Sequence, residues 1–288
     1  MRQVYRLFPA LRIHSWGGFG SQLFALVMAR RLLNKGKFRR ILIIFHTSGV
    51  TERELEIPLK WLDGFTTKIV ADYRKQHSKR LFTDNRTVSS NTRAKLKAFL
   101  LWSGLAATAN SEREFQALKP WVLSLRGHYT LINLKHAEII ELTNKFELSL
   151  HTPDVKATAI HYRLGDLMTI EKKGIISPDR IFAAWEKRMN TTLPLQIFSD
   201  SPPSHFESIW RGIEKNLEYE FYSLPPIQTI KSCFQAQDFL GTNAKLSLWI
   251  AIFRSQSSSK KTLIPEEIQK QLNALLRLQD FSKSVDVY

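Results

Sequence analysis

The sequence predicts an α/β protein built on parallel sheets, from two observations on its apolar segments. Short, β-branched runs at Leu11–His14, Ile41–Phe45 and Ala157–Ile160 are typical of buried strands. A segment with helical spacing, Ala25–Leu33, lies between the first two of these runs. Strands that alternate with helices along a chain are typical of parallel α/β sheets, because each helix carries the chain back across the sheet.

The size and composition of the chain narrow its class. Its 288 residues, 43% of them hydrophobic, are enough to fill one large core or two smaller ones. The single cysteine, Cys233, excludes an internal disulfide framework, and we expect it in the core of a reduced cytosolic protein. The apolar run Phe99–Ala107 is shorter than the roughly 18–20 residues of a membrane span and predicts a buried helix. No signal-peptide pattern is present, so a cytoplasmic location is expected.

The formal net charge of +16 is concentrated in the first hundred residues. Basic residues of this region that an anionic surface would attract are Arg30, Arg31, Lys37, Arg39 and Arg40. Three interpretations stay open: a solvated surface without a partner, the anionic inner face of an inner membrane, and nucleic acid. Nucleic acid is not expected as a partner, because the chain has neither paired Cys/His ligands nor an aromatic RNA-binding strand.

The strongest chemical signal is the hexapeptide His161-Tyr162-Arg163-Leu164-Gly165-Asp166, which follows a predicted strand. Arg163 offers a planar fork of N–H donors that matches phosphate oxygens. Gly165 allows the backbone to turn sharply or to approach a ligand closely. These residues predict an anion site with the Asp166 carboxylate beside it, and an ordinary charged turn is the alternative.

A glycine-rich loop opens the first predicted helix at Gly17-Gly18-Phe19-Gly20-Ser21-Gln22. The first N–H groups of a helix and the positive end of its dipole favour an anion at this position. Gly17, Gly18, Gly20 and Gln22 are therefore candidate binding residues, and a tight turn without a ligand is the alternative. The spacing matches neither the dinucleotide G-x-G-x-x-G pattern nor a Walker loop.

Two later segments place polar residues after predicted strands. Ser199 and Asp200 follow one strand, and Asn243, Lys245 and Ser247 lie between another strand and a helix. Each segment has an ordinary explanation as a turn or as a helix surface. In a parallel sheet, however, the carboxyl ends of the strands meet at one edge, where ligands bind.

In this order the segments resemble the motifs of the fucosyltransferase superfamily, most closely those of the bacterial α-1,2-fucosyltransferases. The Gly17–Phe24 segment is similar to the family's Gly-Gly-Leu-Gly-Asn-Gln-Leu-Phe motif, and His161–Asp166 is similar to its His-x-Arg-x-Gly-Asp motif. The Phe198–Asp200 segment is similar to Phe-Ser-Asp, and Asn243–Trp249 is similar to Asn-Ser-Ser-Phe-Ser-Trp-Trp. The sequence departs from the family at Ser21 for Asn, Leu164 for a common second Arg, and Ala244-Lys245 for Ser-Ser.

The resemblance implies the GT-B fold, in which two Rossmann-like domains face a central cleft. It predicts an acceptor-side domain at 1–150 and a nucleotide-sugar-binding domain at 151–288. It also implies inverting transfer of fucose from GDP-fucose to a hydroxyl group of a surface glycan. One form of this acceptor would be a lipid-linked glycan at the inner face of the inner membrane. A different nucleotide-sugar donor, or a basic membrane- or nucleic-acid-binding protein with degenerate motifs, stays as the alternative.

Such a transfer leaves a diphosphate that gains negative charge as the glycosidic bond breaks. The sequence has no Asp-x-Asp motif to hold a divalent cation, so we expect Arg163 to stabilise this charge, helped by the Gly17–Gly20 loop, Lys245 and Ser247. For the same reason no metal is expected. No cofactor is expected either, because the nucleotide sugar is a substrate. Asp166 adjoins the site, but the general base is not identified. The other residues expected near the nucleotide are His161, Ser199, Asp200 and Asn243.

Overall fold

The structure is a computed structural model of the chain, and it describes residues 10–36, 38, 40–47, 54–70, 91–148, 155–165, 175–210, 218–257, 259–276 and 285–288. The chain forms two compact units, Met1–Ile132 and Asn133–Tyr288. This division lies before the predicted boundary at residue 150, because the helix His136–Lys145 packs in the second unit. Residues 149–154, which contain the predicted boundary itself, lie outside the described residues.

The first unit contains a parallel sheet whose described strands are β1 (Leu11–Trp16), β2 (Ile41–His46), β3 (Thr66–Val70), β4 (Ala106–Thr108) and β5 (Ser124–Arg126). The spatial order of these strands is β3-β2-β1-β5-β4. The helices are α1 (Phe19–Asn34), α2 (Asn91–Trp102) and α3 (Glu112–Gln116), with a 3₁₀ turn at Leu59–Leu62. The predicted strands at both ends of α1 are thus confirmed, and they are adjacent and parallel.

Most residues in the apolar runs at β1 and β2 are buried, as predicted, whereas the run that overlaps the end of α2 is partly exposed. In β2 the residues reach the core on both faces, as expected for a central strand of a parallel sheet. The prediction of a buried helix at Phe99–Ala107 is wrong, because α2 ends at Trp102 and exposes Phe99, Leu101 and Trp102. The prediction was based on hydrophobicity alone, and no described part of the fold covers these side chains.

Two of the cations predicted for an anionic surface are held inside the first unit. Arg31 is buried and pairs with Glu112, with 3.3 Å between Nη1 and Oε2. Arg30 donates a hydrogen bond to the Trp61 carbonyl oxygen at 3.1 Å. These side chains fasten α1 to neighbouring segments. Arg40 is exposed, and Lys37 and Arg39 lie outside the described residues.

The second unit contains a parallel sheet whose described strands are β6 (Val155–His161), β7 (Leu195–Phe198), β8 (Tyr219–Tyr222), β9 (Ala236–Gly241), β10 (Lys261–Ile264) and β11 (Val285–Val287). Its spatial order is β11-β10-β9-β6-β7-β8. The helices are α4 (His136–Lys145), α5 (Pro178–Arg188), α6 (Pro203–Trp210), α7 (Pro226–Gln235), α8 (Lys245–Arg254) and α9 (Glu266–Leu276). Both units therefore confirm the predicted α/β class with parallel sheets.

The strand order of the second unit creates one point where the chain changes direction across the sheet. From β6 the chain moves outward through β7 and β8, then returns to form β9 on the other side of β6 and continues through β10 to β11. Ligands of open parallel sheets bind in the crevice outside the carboxyl ends of strands at such a switch point. The segments that leave β6 and β9 are those that carry the sequence motifs.

The core of the second unit confirms one expectation from composition. Cys233 lies fully buried in α7, as predicted, and burial raises the pKa of its thiol well above the ordinary range. Among the described residues, no helix combines the length and apolarity that crossing a membrane requires.

Candidate functional site

The backbone at the end of β6 presents alternate side chains of the motif in opposite directions. Tyr162 and Leu164 are fully buried in the core, and the Tyr162 hydroxyl donates to the Ile176 carbonyl oxygen at 2.9 Å. Arg163, between them, is half-buried at the carboxyl edge of the sheet. Asp166 lies outside the described residues, so its predicted role stays a prediction.

Three hydrogen bonds join the end of β6 to the segment that follows β9. The Thr242 hydroxyl donates to the His161 carbonyl oxygen at 2.9 Å and accepts from the Arg163 N–H at 3.2 Å. The Ser247 Oγ lies 2.6 Å from His161 Nδ1. The same oxygen accepts from the Thr242 N–H at 3.0 Å. All the side chains that make these contacts are buried, so they fix the backbone from which Arg163 projects.

His161 has the properties of a structural residue of this edge. Burial lowers the pKa of His161 to about 4, with Asp200 acting in the opposite direction and Arg163 adding to the decrease. The ring is therefore neutral at pH 7. Its Nδ1 contact is to the buried Ser247 hydroxyl. A contact of His161 with substrate stays a prediction.

Asp200 positions the motif loop from the end of β7. Its Oδ1 accepts a hydrogen bond from the Leu164 N–H at 3.0 Å. A Cβ on Gly165 would collide with the Asp200 carboxylate, so glycine permits this close approach. Ser199, one residue earlier, is buried, and its Oγ accepts from the Ser201 N–H at 3.3 Å. The structure thus brings Ser199 and Asp200 to the predicted edge, where these contacts support the loop.

Two cations influence each other electrostatically where α8 begins. Lys245 is the first residue of α8, and its pKa is lowered to about 8, mainly by burial and further by the positive charge of Arg163. The N-cap residue Ala244 has no side-chain oxygen to offer, and the first turn of α8 contains no acidic residue. Asn243 precedes Ala244 and is half-buried. Arg163, Lys245 and the positive end of the α8 dipole together give this edge an environment that favours an anion.

The glycine-rich loop of the first unit already has a carboxylate at the predicted anion position. Gly18 is the N-cap of α1, and the Phe19 N–H donates to Glu56 Oε2 at 2.9 Å. A Cβ on Gly18 would lie 3.2 Å from Glu56 Oε1. Gly17 adopts φ +92°, which explains a glycine there, and Gly20 is buried in the first turn of α1. Sequence reasoning missed Glu56, because it is distant along the chain and belongs to no motif.

Gln22 fastens the segment that carries Glu56 to this loop. Its Nε2 donates to the carbonyl oxygens of Gly17 at 3.2 Å and Glu54 at 2.8 Å. Its Oε1 accepts from the N–H groups of Glu56 at 2.9 Å and Ile57 at 3.3 Å. Both ends of the side-chain amide are thus used on backbone, which gives Gln22 a structural role, and a contact with substrate stays a prediction.

A stack of rings lies at the carboxyl ends of β1 and β2. His14 Nδ1 is 2.8 Å from His46 Nε2, and the Trp16 ring stacks on His46 with 4.4 Å between centroids. The Arg126 guanidinium lies 5.3 Å from the Trp16 ring centroid. Burial, followed by the charge of Arg126, lowers the pKa of His14 to about 3, so this imidazole is neutral at pH 7. His46 lies 32 positions after His14, so this pairing is a product of the parallel arrangement of β1 and β2.

The predicted residues thus fall into two groups, one in each unit. The first unit holds Gly17, Gly18, Gly20 and Gln22 beside the end of β1. The carboxyl edge of the second unit's sheet brings together His161, Arg163, Ser199, Asp200, Asn243, Lys245 and Ser247. Thr242 belongs with them and was missed, because it lies one residue before the Asn243–Trp249 segment that resembles the family motif.

Comparisons with known proteins give structural similarity only. No family model and no curated protein matches the chain. The E. coli heptosyltransferase WaaC with ADP is 10% identical, with a TM-score of 0.45 over 96% of this chain and 92% of that chain. POFUT1 in complex with GDP is 10% identical, with a TM-score of 0.36 over 89% and 98%. The NodZ α-1,6-fucosyltransferase soaked with GDP-fucose is 11% identical, with a TM-score of 0.34 over 85% and 92%.

Proposed function

We propose that the chain is a glycosyltransferase that binds the diphosphate of a nucleotide-sugar donor at the carboxyl edge of the second unit's sheet. The observation that carries this proposal is the pair Arg163 and Lys245 at the switch point between β6 and β9. Two cations beside the N-terminus of α8 match the charge of a diphosphate. Bringing two cations together costs electrostatic energy, and a bound anion would offset that cost.

The chemistry follows from where negative charge develops. As the bond between the sugar C1 and the diphosphate oxygen breaks, its electron pair goes to the diphosphate. Arg163 and Lys245 would stabilise that charge from fixed positions, without reorganisation at the moment of reaction. The acceptor hydroxyl would attack C1 from the opposite face, which inverts the configuration, and its proton would pass to a general base. The contacts from Thr242, Ser247 and Asp200 hold the Arg163 backbone ready for this role.

The motif resemblance supports a finer proposal for donor and acceptor. The donor would be GDP-fucose, and the acceptor a hydroxyl group of a surface glycan, with a lipid-linked glycan at the inner membrane as the form we favour. The first unit would receive the acceptor, and the second unit would bind the nucleotide. No metal and no cofactor is proposed, and Asp166 is proposed to lie close to the donor.

Calorimetric binding of GDP, UDP, ADP and CDP tests the proposal. We expect selective binding of GDP and a loss of about 100-fold in affinity in Lys245→Ala. Lys156→Ala is the matched control, because Lys156 is an exposed lysine of β6 near the amino end of the same sheet. Selective binding of another nucleotide would keep the enzyme class and overturn the choice of donor. No binding of any nucleotide would overturn the enzyme and favour a basic binding protein.

A hydrolysis assay then tests which sugar the donor carries, independently of which nucleotide binds. Glycosyltransferases release sugar to water slowly when no acceptor is present, so GDP-fucose should be hydrolysed faster than GDP-mannose or UDP-glucose. Equal rates with all three sugars would contradict fucose as the donor sugar, even if GDP binds selectively.

A further inference from the structure

The C-terminal half of α2 exposes a group of large apolar side chains. Trp102 is 84% exposed and Phe99 is 53% exposed, and their ring centroids lie 6.2 Å apart. Leu101 is 39% exposed. Phe99 and Trp102 are three positions apart on the helix, so they project on the same side. A contiguous exposed apolar surface of this kind marks an interaction site more often than isolated apolar residues do.

A third aromatic residue, Trp121, lies beside the end of the same helix. Trp121 is 53% exposed, and its indole Nε1 donates to the Ser103 carbonyl oxygen at 3.2 Å. Its ring edge would lie 3.1 Å from a Cβ on Gly104. Phe99, Leu101, Trp102 and Trp121 form what we call the aromatic patch. The Trp121 hydrogen bond fixes that side chain while leaving much of it exposed to solvent.

Among the described residues, two exposed lysines lie beside the aromatic patch. Lys95 is exposed one helical turn before Phe99. Lys119 is also exposed, and its Cγ would lie 3.8 Å from a Cβ on Gly104, next to Trp121. The basic residues of the segment 91–121 are Arg93, Lys95, Lys97, Arg113 and Lys119, against two acidic residues.

Both acidic residues of that segment are engaged in contacts with the protein itself. Glu112 pairs with the buried Arg31. Glu114 accepts hydrogen bonds from the N–H groups of Asn110 and Ser111 and so caps α3. The carboxylates therefore stabilise the fold, and the exposed Lys95 and Lys119 leave positive charge beside the patch.

We propose that the aromatic patch docks on the surface of an anionic lipid bilayer. Tryptophan and phenylalanine partition into the interfacial region of a membrane, and lysine side chains beside them contact anionic headgroups. The patch is a helix surface with flanking cations, which suits a lipid surface of complementary charge. This inference does not depend on the proposed enzymatic function, and it places the membrane contact on α2 rather than on the α1 cations Arg30 and Arg31.

Vesicle flotation tests the proposal with the full chain. We expect the wild-type chain to float with vesicles that contain phosphatidylglycerol and to remain unbound with pure phosphatidylcholine. The double variant Phe99→Ser with Trp102→Ser should bind at least about tenfold more weakly, because it loses most of the insertable area. Leu59→Ser is the matched control: Leu59 is 70% exposed in the same unit, outside the patch, and should have no effect. Equal losses in both variants would overturn the proposal.

The cations provide a second, independent test. Lys95→Glu with Lys119→Glu should weaken binding to phosphatidylglycerol vesicles at low salt and reduce its salt dependence. Both residues are exposed, so we expect the unfolding midpoint to stay unchanged. Unchanged vesicle binding in this variant would overturn the contribution of charge.

Quenching of tryptophan fluorescence by brominated lipid locates the contact. Trp102→Phe and Trp121→Phe should each lose part of the quenching seen with the wild-type chain, while Trp249→Phe, at a buried position, should lose none.

Sedimentation velocity without lipid tests whether a second copy of the chain covers the aromatic patch instead of a membrane. If the chain is a dimer that Trp102→Ser dissociates, and vesicles do not bind it, a second copy covers the patch and the proposal is wrong.

Discussion

His161 Nδ1 and Ser247 Oγ lie 2.6 Å apart, and both side chains are buried at the carboxyl edge of the second unit's sheet. His161 ends β6, and Ser247 lies in the first turn of α8. Their contact therefore joins the two segments that carry the cations Arg163 and Lys245. The anion site proposed here depends on a neutral histidine and a hydroxyl group that need not touch the ligand.

Ser247→Ala removes this contact and leaves the buried Thr242 N–H without its acceptor. We expect the free energy of unfolding to decrease by about 1–3 kcal/mol, the usual cost of an unsatisfied buried donor. Binding of GDP should weaken as well, because Thr242, which accepts from the Arg163 N–H, loses the hydrogen bond that holds its own backbone. Urea denaturation and calorimetry measure the two effects.

Ser208→Ala is the matched control for Ser247→Ala. It removes a hydroxyl that donates to the His205 carbonyl oxygen at an exposed site of the same unit. Exposed substitutions of this kind change stability by less than about 0.5 kcal/mol. Equal destabilisation in the two variants would contradict the role assigned to Ser247.

Arg163→Lys keeps one positive charge but loses the planar fork that contacts two phosphate oxygens at once. We expect turnover of the nucleotide sugar to decrease on the order of 100-fold, as for the loss of a preorganised donor. The unfolding midpoint should change little, because Arg163 is only half-buried. Arg188→Lys, the same change at an exposed arginine of α5, should leave turnover unchanged. Turnover near that of the wild type in Arg163→Lys would contradict its role.

Lys245 should make nucleotide affinity depend on pH. The pKa of Lys245 is lowered to about 8, so the free protein loses this charge as pH rises through 8. Above that pH, binding a diphosphate requires uptake of a proton, and Kd should increase by up to about tenfold per pH unit. Below that pH the affinity should be constant.

Lys245→Arg separates the charge from its titration. Arginine remains charged at these pH values, so Kd for GDP should not increase between pH 7 and pH 9 in this variant. The comparison is a calorimetric titration at several pH values, with Lys156→Arg as the control that should follow the wild type. A flat profile in the wild-type chain, or the same slope in Lys245→Arg, would show that another group titrates.

Removal of divalent cations should leave activity unchanged. Excess EDTA is expected to have no effect on turnover, because Arg163, Lys245 and backbone N–H groups would stabilise the leaving diphosphate instead of a metal. A metal-dependent glycosyltransferase assayed in the same mixture confirms that chelation is complete. Loss of activity that manganese or magnesium restores would assign the leaving-group catalyst to a metal.

Arg254 should contribute strongly to the stability of the second unit. It ends α8, is fully buried, and donates to the hydroxyl of Thr262 and to the carbonyl oxygens of Cys233, Phe234, Ala236, Gln237 and Lys261. Arg254→Met would leave these acceptors unsatisfied, and we expect a loss of about 4 kcal/mol in urea denaturation. Arg188→Met, at an exposed arginine, should cost less than about 0.5 kcal/mol. Similar losses in both would contradict the role of Arg254.

Local pattern was sufficient for much of the fold and for the identity of the motif residues. The apolar runs at β1, β2 and β6 predicted buried strands, because residues that reach the core on both faces must be apolar throughout. Polar residues directly after those runs predicted the carboxyl edge where Arg163 lies.

The sequence by itself determined the α/β class and the residues that follow each strand, because strand and turn preferences act within a few positions along the chain. Only the tertiary structure decided that β9 lies beside β6, which brings Lys245 close to Arg163. It also placed the Glu56 carboxylate at the start of α1 and left the aromatic patch on α2 exposed. Hydrophobicity says how much a side chain gains from burial, whereas packing between distant segments decides which side chains are covered.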